Sequence, residues 1–300
     1  MAFRQLFQLT TFLVILSSFL QTAQADVLDD IRQRDTVRLG FDDAAPFAYK
    51  SKAGHFNGYT LEICQRIVEE IRLELKKPKL KTEYVQITTE SRLDKVATGA
   101  IDLECGATTN NAERRQKVAF AIPTFVAGGR MAMRKEVAID RLDQLAGKRV
   151  AVTPGTSYDD MMNNLVKTKG MKINVTRAKD DDDGMKLLLD GKVDVTLNDD
   201  VLLATLLANS GRSADFRISN APLTIEPLAI VMKKDNPRLK RIADRVIASL
   251  MLSGEITQLH RKWFQTVIPD LSINLNLPIT TIMRAYMRAP SDFVPDVVSY

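Results

Sequence analysis

The sequence predicts an α/β protein of two lobes, each a sheet with helices packed on it, joined where the chain crosses between them twice. Three observations carry this expectation. Strand-like and helix-like patterns alternate, the alternation runs through twice in units of about a hundred residues, and a last strand-and-helix stretch has no unit of its own. A chain of 300 residues suits one large domain or two of ordinary size.

The first unit opens with Val37–Phe41 as a strand. Leu61–Lys76 follows as a helix, because Ile63, Ile67, Ile71 and Leu75 recur at four-residue steps on one face. Lys81–Ile87 is rich in strand formers, Ser91–Thr98 reads as a short helix closed by Gly99, and Ile101–Cys105 is again a strand. Asn110–Val118 is expected to be helical, since Asn110 and Glu113 stand at capping-box spacing. The second unit repeats the order: Arg149–Thr153 strand, Tyr158–Lys169 helix, Ile173–Arg177 strand, Asp182–Leu189 helix, Val193–Leu197 strand. A short echo ties the two together. Thr98-Gly99-Ala100-Ile101-Asp102 and Asp190-Gly191-Lys192-Val193-Asp194 both run helix end, Gly, one residue, apolar, Asp, strand. Leu228–Met232 then reads as a strand, Pro237–Ser253 as a helix with Pro at its start and Gly254 after it, and Glu255–Phe264 as a further helix. This stretch is expected to complete the first lobe. Residues 26–126 with 226–300 then form one lobe and 127–225 the other, with crossings near Phe125–Arg130 and Pro222–Pro227 acting as a hinge.

Composition narrows the function. Lys and Arg number 42 against 37 Asp and Glu, a formal charge of +5 with no basic run, so the chain lacks the electrostatic footprint of a nucleic-acid binder. Two Cys and two His, with neither CxxC nor HxxxH spacing, supply no metal framework, and no cofactor motif stands out. The first 25 residues carry Arg4, an apolar run from Phe12 to Leu20 and the small-residue close Ala23-Gln24-Ala25, as a cleaved export signal does; a membrane anchor would need roughly twice that apolar length. The mature chain would begin at Asp26, in a compartment that permits disulfides. Cys64 and Cys105 are expected to pair, with two buried free thiols as the alternative that geometry must decide.

Four loops follow strand ends, where open α/β sheets bind ligands: Asp42–Phe47, Gly106–Thr109, Thr153–Ser157 and Asn198–Asp200. The chemistry they carry is zwitterion-like. Gly155-Thr156-Ser157 at a helix start offers N–H groups to an anion. Arg114, in the first turn of its expected helix, suits a carboxylate ligand or an ion pair with Glu113. Asp199 suits an ammonium, or caps the helix expected over Asp200–Ala208.

These residues carry a resemblance. Asp102-Leu103-Glu104-Cys105-Gly106-Ala107-Thr108-Thr109-Asn110-Asn111 with Glu113-Arg114 is similar to the glutamate/aspartate periplasmic binding proteins, within the family 3 solute-binding proteins of amino-acid ABC transporters. Gly58-Tyr59-Thr60-Leu61-Glu62-Ile63 resembles the family's early signature, with Thr60 where an acid is usual. Pro46-Phe47, Gly155-Thr156-Ser157, Ala178-Lys179-Asp180, Asn198-Asp199-Asp200, Ser253-Gly254-Glu255 and Lys262-Trp263-Phe264 match in order over nearly the whole mature chain. The resemblance implies the two-lobed type II periplasmic-binding-protein fold, an amino-acid ligand and an inner-membrane permease as partner, with the binding protein itself a monomer. It implies that Arg114 holds the ligand α-carboxylate with Thr109, Thr156 and Ser157, that Asp199 with the Thr109 hydroxyl holds the α-ammonium, and that Thr89 and Arg92 read the side chain. Three positions depart from the acidic-ligand pattern: Asp42 stands for an arginine, Asp181 for a histidine and Ala107 for a serine. A like-charge contact at about 4 Å costs about 4 kcal/mol at an effective dielectric near 20, so acids facing the ligand side chain would disfavour glutamate and aspartate. Alternatively Asp181 belongs to a solvated Asp180–Asp183 run and Asp42 pairs with Arg92. Two other functions stay open at this level: a periplasmic enzyme like the cyclohexadienyl dehydratases, which resemble the same fold, and a ligand-loaded partner docking on a sensor through Leu271–Tyr300, a segment that otherwise straps the first lobe.

Overall fold

Two mixed sheets organise the chain in a computed structural model that describes residues 26–268 and 270–295. The expected leader and its cleavage point lie outside the described residues. The first lobe begins with helix α1 (Val27–Arg34) and strand β1 (Thr36–Phe41), then a hairpin of β2 (Tyr49–Lys50) and β3 (Phe56–Asn57), helix α2 (Tyr59–Leu75), β4 (Lys81–Gln86), α3 (Arg92–Ala97), β5 (Leu103–Glu104) and β6 (Val118–Phe120). The chain leaves it on β7 (Phe125–Arg134). It continues through β8 (Arg149–Val152), α4 (Ser157–Lys167), β9 (Asn174–Arg177), α5 (Asp181–Leu189), β10 (Val195–Asp199), α6 (Asp200–Asn209) and β11 (Phe216–Ile218). It returns on β12 (Thr224–Leu228), enters β13 (Val231–Lys233) and adds α7 (Pro237–Leu252), α8 (Glu255–His260) and α9 (Thr281–Arg288).

The first sheet runs β4-β1-β5-β13-β6 and the second β11-β7-β10-β8-β9, with β12 beside β7. β1 pairs parallel with β4 and β5, and β8 pairs parallel with β9 and β10. The strands at the crossings are antiparallel: β7 runs against β10, β11 and β12, and β13 against β5 and β6. The two crossing strands thus form one ribbon, from Thr224↔Gly129 to Leu228↔Phe125. The strand read over Leu228–Met232 is really two. Leu228 ends the pairing with β7, and Val231 starts the pairing with β5 and β6, so one apolar run serves both sheets.

The echoed Gly-x-apolar-Asp segments do the same job in both lobes. Asp102 accepts from the backbone N–H of Arg38 at the start of β1 (2.7 Å), and Asp194 from that of Arg149 at the start of β8 (2.9 Å). In each lobe a carboxylate, buried in Asp102 and half-buried in Asp194, satisfies a backbone donor near the start of a strand. The helix expected over Asn110–Val118 is only a single-turn 3₁₀ segment, Arg114–Gln116. Asn110 is drawn away, its N–H donating to Pro227 O at 2.8 Å, while Asn111 Oδ1 takes up the N–H of Arg114 at 2.9 Å. The contact with the return strand β12 outweighs the local capping signal.

Hydrophobic burial holds the first lobe together. Ile63, Ile67, Ile71 and Leu75 of α2 are all buried, and Phe47, Tyr59, Phe125 and Phe264 form an aromatic cluster with centroid separations from 4.7 to 6.4 Å. Such pairs add about 0.5–1.5 kcal/mol each beyond the area they bury. Because Phe125 is the first residue of β7, the hinge is rooted in this core. Leu271, Ile273, Leu275, Leu277 and Ile279 pack partly buried against the same core, Leu277 N–H donates to Phe264 O at 2.8 Å, and Met283 of α9 is buried. The tail straps the first lobe, so these side chains are not a free docking surface. Among the described residues no helix is long and apolar enough to cross a membrane.

Cys64 of α2 and Cys105, the residue after β5, are joined in a disulfide spanning 41 residues. It fixes the helix to the loop Gly106–Thr109. A closed loop of that length is worth about 4 kcal/mol in the chain-entropy account, so the Cys64→Ala/Cys105→Ala double variant is expected to melt roughly 10 °C lower than wild type by calorimetry. An unchanged melting temperature would show that the bridge contributes nothing.

Candidate ligand-binding site

A narrow cavity of ≈ 20 Å³ lies between the two sheets, room for about one water molecule, so the closed cleft must open to admit a ligand. The carboxyl ends of strands from both lobes surround it, as the topology requires. From the first lobe come Asp42 after β1, Thr89 and Arg92 after β4, and Ala107 and Thr109 after β5; from the second come Thr156 and Ser157 after β8, Asp181 at the start of α5, and Asp199 at the end of β10. Nine of the ten ligand-site residues expected from sequence therefore share one wall.

The tenth, Arg114, is buried just behind that wall. It donates Nη1 to Thr109 O and Nη2 to Gly155 O, both at 3.1 Å, rather than pairing with Glu113. Arg92 reaches the same carbonyl with Nη2 at 3.4 Å. The Thr89 hydroxyl donates to Pro154 O at 2.9 Å. Three side chains of the first lobe thus hold the Pro154-Gly155 turn of the second, and the cleft is closed. Burial, with Arg92 beside it, pulls the Arg114 guanidinium down to about 10.

Asp199 is not a helix cap, since its carboxylate accepts from Tyr158 OH at 2.6 Å and makes no capping bond to α6. Close by, Glu226 of β12 accepts from Ser157 Oγ at 3.1 Å and from the Thr224 hydroxyl. Neither carboxylate meets a cation among the described residues. Burial first, then the Glu226 charge, pushes Asp199 well above the ordinary carboxyl range. The Thr156 hydroxyl is spent as the cap of α4, donating to Thr153 O at 2.7 Å and accepting from Asp159 N–H at 3.2 Å, so it has less to offer a ligand than the sequence suggests.

At the opposite end of the cavity, Arg92 Nη1 lies 3.4 Å from Asp42 Oδ2. Glu104, on β5 behind it, accepts from Gly106 N–H at 2.7 Å. A Cβ on Gly106 would lie 2.5 Å from an oxygen of each of these carboxylates, which is why a residue without one stands between them. Burial, opposed by Arg92 and reinforced by Asp42, pushes Glu104 up to about 7, and burial likewise raises Asp42. The Asp180–Asp183 run divides its work. Asp180 caps α5, Asp183 accepts from Lys179 N–H, and Asp181 takes the Thr153 hydroxyl and faces the cavity.

Tyr158, Asn198, Ala44 and Leu202 also line the cavity, and Glu104 and Glu226 support it. The sequence reading placed Ala44 and Asn198 only within candidate loops and did not single out the others for the site. Glu226 had a signal: it is a lone acid inside the stretch Thr224–Leu228, where a charge persists only with partners.

Gly155 has φ +76°, and a Cβ there would fall 2.6 Å from Glu90 Cα and 2.7 Å from Thr89 O. Gly155→Ala is expected to hold the lobes apart, raising the radius of gyration in small-angle scattering; a scattering curve identical to wild type would count against the contact. The raised Glu104 value gives a second test. Stability from its neutral form is present below the ordinary carboxyl range and is lost as pH rises through about 7. Glu104→Gln is therefore expected to melt near wild type at about pH 5 and above it at about pH 8, and a difference that does not grow with pH would exclude this role.

Comparison with known proteins gives one answer. The family described as bacterial extracellular solute-binding proteins, family 3, matches residues 37–266. The L-glutamate/L-aspartate-binding protein of Pseudomonas aeruginosa is 32% identical over 267 residues, 88% of each chain. The glutamate/aspartate import solute-binding protein of Escherichia coli K12 is 31% identical over 271 residues, 90% of each. Among solved structures, the P235GK mutant of ArgBP from T. maritima superposes with a TM-score of 0.69 at 25% identity, covering 79% of this chain and 98% of that one. With its two lobes, its interlobe cavity and these relatives, this chain belongs to the family 3 bacterial extracellular solute-binding proteins.

Proposed function

We propose that this protein captures a free polar amino acid between its lobes in the periplasm and delivers it to an inner-membrane ABC permease. Residues 26–126 with 226–300 act as one lobe and 127–225 as the other, hinged on the β7–β12 ribbon. The observation that carries the reading is a pair of opposite charges, one on the cavity wall and one just behind it, neither held in a direct ion pair among the described residues. Arg114 is satisfied only by neutral carbonyl oxygens, and Asp199 meets no cation among the described residues. An α-amino acid supplies both missing partners at once.

The mechanism follows from the closed cleft. When the hinge opens, Gly155 O withdraws and frees the guanidinium groups of Arg92 and Arg114. An α-carboxylate then replaces the carbonyl on Arg114, helped by Thr109 and by the N–H groups at the start of α4, and a charge-assisted bond replaces a neutral one. The α-ammonium settles against Asp199 and the Thr109 hydroxyl. It brings positive charge beside the buried Asp199 carboxylate, which burial and the neighbouring Glu226 otherwise disfavour in its charged form. Closure is a shift between two populated forms, weighted by these contacts. No bond is made or broken in this scheme. Neither His lines the cavity: His260 is buried between Phe125 and Phe264, and His55 is exposed on the β2–β3 hairpin. The protein works as a monomeric carrier rather than as a catalyst, exported by the leader cut after Ala25. The two curated relatives are named for glutamate and aspartate, which supports an amino-acid ligand.

Titration calorimetry across the common amino acids tests this. At least one is expected to bind, and Arg114→Ala and Asp199→Asn are each expected to weaken that binding by about a hundredfold or more, as loss of one partner of a buried charge pair does. Binding untouched by both substitutions, or steady consumption of the ligand, would refute the reading.

A further inference from the structure

The α-amino acid pole does not fill the cleft. The narrow ≈ 20 Å³ cavity shares Asp42, Ala44, Thr89, Asp181 and Leu202 with an adjoining cavity of ≈ 350 Å³. A ligand anchored at Arg114 and Asp199 can therefore extend past Ala44 and Leu202, whose apolar surfaces suit a run of methylene groups. Beyond them the walls are acidic. Five aspartates, Asp42, Asp43, Asp180, Asp181 and Asp182, line the second cavity against one cation, Lys179.

These acids come from opposite lobes. Asp42 and Asp43 follow β1, whereas Asp181 and Asp182 open α5. Closing the cleft brings like charges together across it. Arg92 does not neutralise them, because its guanidinium is divided among Asp42 at 3.4 Å, Ala107 O at 3.5 Å and Gly155 O at 3.4 Å, with Glu104 also beside it. One oxygen of Asp42, Oδ1, has no hydrogen-bond donor, although the side chain is only 3% exposed. That oxygen is turned towards Gly106 and Glu104, so it is the acids lining both sides of the second cavity that call for a positive partner. An inorganic ion does not fit that description, since no group of three or more His, Cys, Asp or Glu residues converges on a metal position among the described residues.

Resting on the amino-acid reading above, we propose that the distal end of this cleft takes an organic cation on a methylene stem, so that the ligand is an amino acid with a basic side chain, its charge seated between Asp42 and Asp181. That cation offsets the repulsion between the lobes, so closure and selectivity have one cause. A side-chain carboxylate in the same place would face both aspartates, and a single like-charge contact at about 4 Å already costs on the order of a thousandfold in affinity. Selectivity then comes as much from excluding acids as from attracting bases. The relatives named for glutamate and aspartate would differ from this chain in side-chain preference while sharing the α-amino-acid pole.

Calorimetric titration of the mature wild-type protein with L-arginine, L-lysine, L-citrulline, L-glutamine, L-glutamate and L-aspartate decides it. Arginine or lysine is expected to bind at least about a hundredfold tighter than glutamate, and arginine at least about tenfold tighter than citrulline, which has nearly its shape without its charge. Asp181→Asn is expected to cut the arginine-to-glutamate affinity ratio by about tenfold or more. Asp42→Asn, which releases Arg92, is expected to raise glutamate affinity, a gain that a misfolded variant does not show. Tighter binding of glutamate, aspartate or glutamine than of either basic amino acid overturns the proposal and leaves the amino-acid reading intact. Binding of some other amino acid but none of these six overturns this proposal alone, and binding of no amino acid at all overturns both.

Discussion

One backbone oxygen organises the closed protein. The carbonyl of Gly155, on the second lobe, receives the guanidinium groups of both Arg92 and Arg114 from the first. A carbonyl is a weak acceptor for two buried cations, each of which would gain more from a carboxylate. The positive φ at Gly155 aims that carbonyl across the cleft, and the absence of a Cβ lets the turn approach Thr89 and Glu90. The interlobe contact therefore holds the cleft shut without saturating the groups that meet a ligand. A site that binds by closing needs such a provisional partner, good enough to keep buried cations satisfied and poor enough to be replaced.

The rest of the architecture serves that contact. Parallel strands deliver Asp42, Thr89, Ala107, Thr156, Asp181 and Asp199 to one cavity because their loops all leave from the same end of each sheet. The antiparallel β7–β12 ribbon links the lobes beside that cavity rather than far from it. Ala229 N–H donates to Thr108 O at 3.0 Å and Asn110 N–H to Pro227 O at 2.8 Å, so the return crossing is tied to the loop that carries Thr109. A movement at the hinge is felt at once in the binding wall. The disulfide and the aromatic cluster hold the other side of that loop still.

Burial sets the charge balance. Asp42, Glu104 and Asp199 are all raised, with desolvation as the first cause in each and a neighbouring acid as a further one. Acids crowded in this way weaken the empty closed form and favour whatever brings positive charge into it. Such a protein keeps the strain in its site and its stability elsewhere, in the buried α2 face and the Phe47–Phe264 cluster.

Much of this was legible in the sequence. Alternating periodicity announced the α/β units, the Gly-x-apolar-Asp echo announced their duplication, and small polar residues after strands announced the loops that line the cavity. What misled was local. The Asn110 and Glu113 spacing signals a helix, yet the strand passing over it claims the Asn110 N–H; the run Leu228–Met232 signals one strand, yet it is shared between two sheets. The resemblance of the motifs placed nine side chains around one cavity, but not the state of their charges. Sequence by itself determined which strand-end loops reach the cleft, because periodicity and turn chemistry act over a few residues and leave their mark in order, whereas Thr89, Arg92 and Asp181 came from the resemblance. Only the tertiary structure decided that Arg114 rests on a carbonyl, that Asp199 caps nothing, and that Asp42 and Asp181 converge from opposite lobes. Those facts depend on distances between residues far apart in the chain, and electrostatics follows distance.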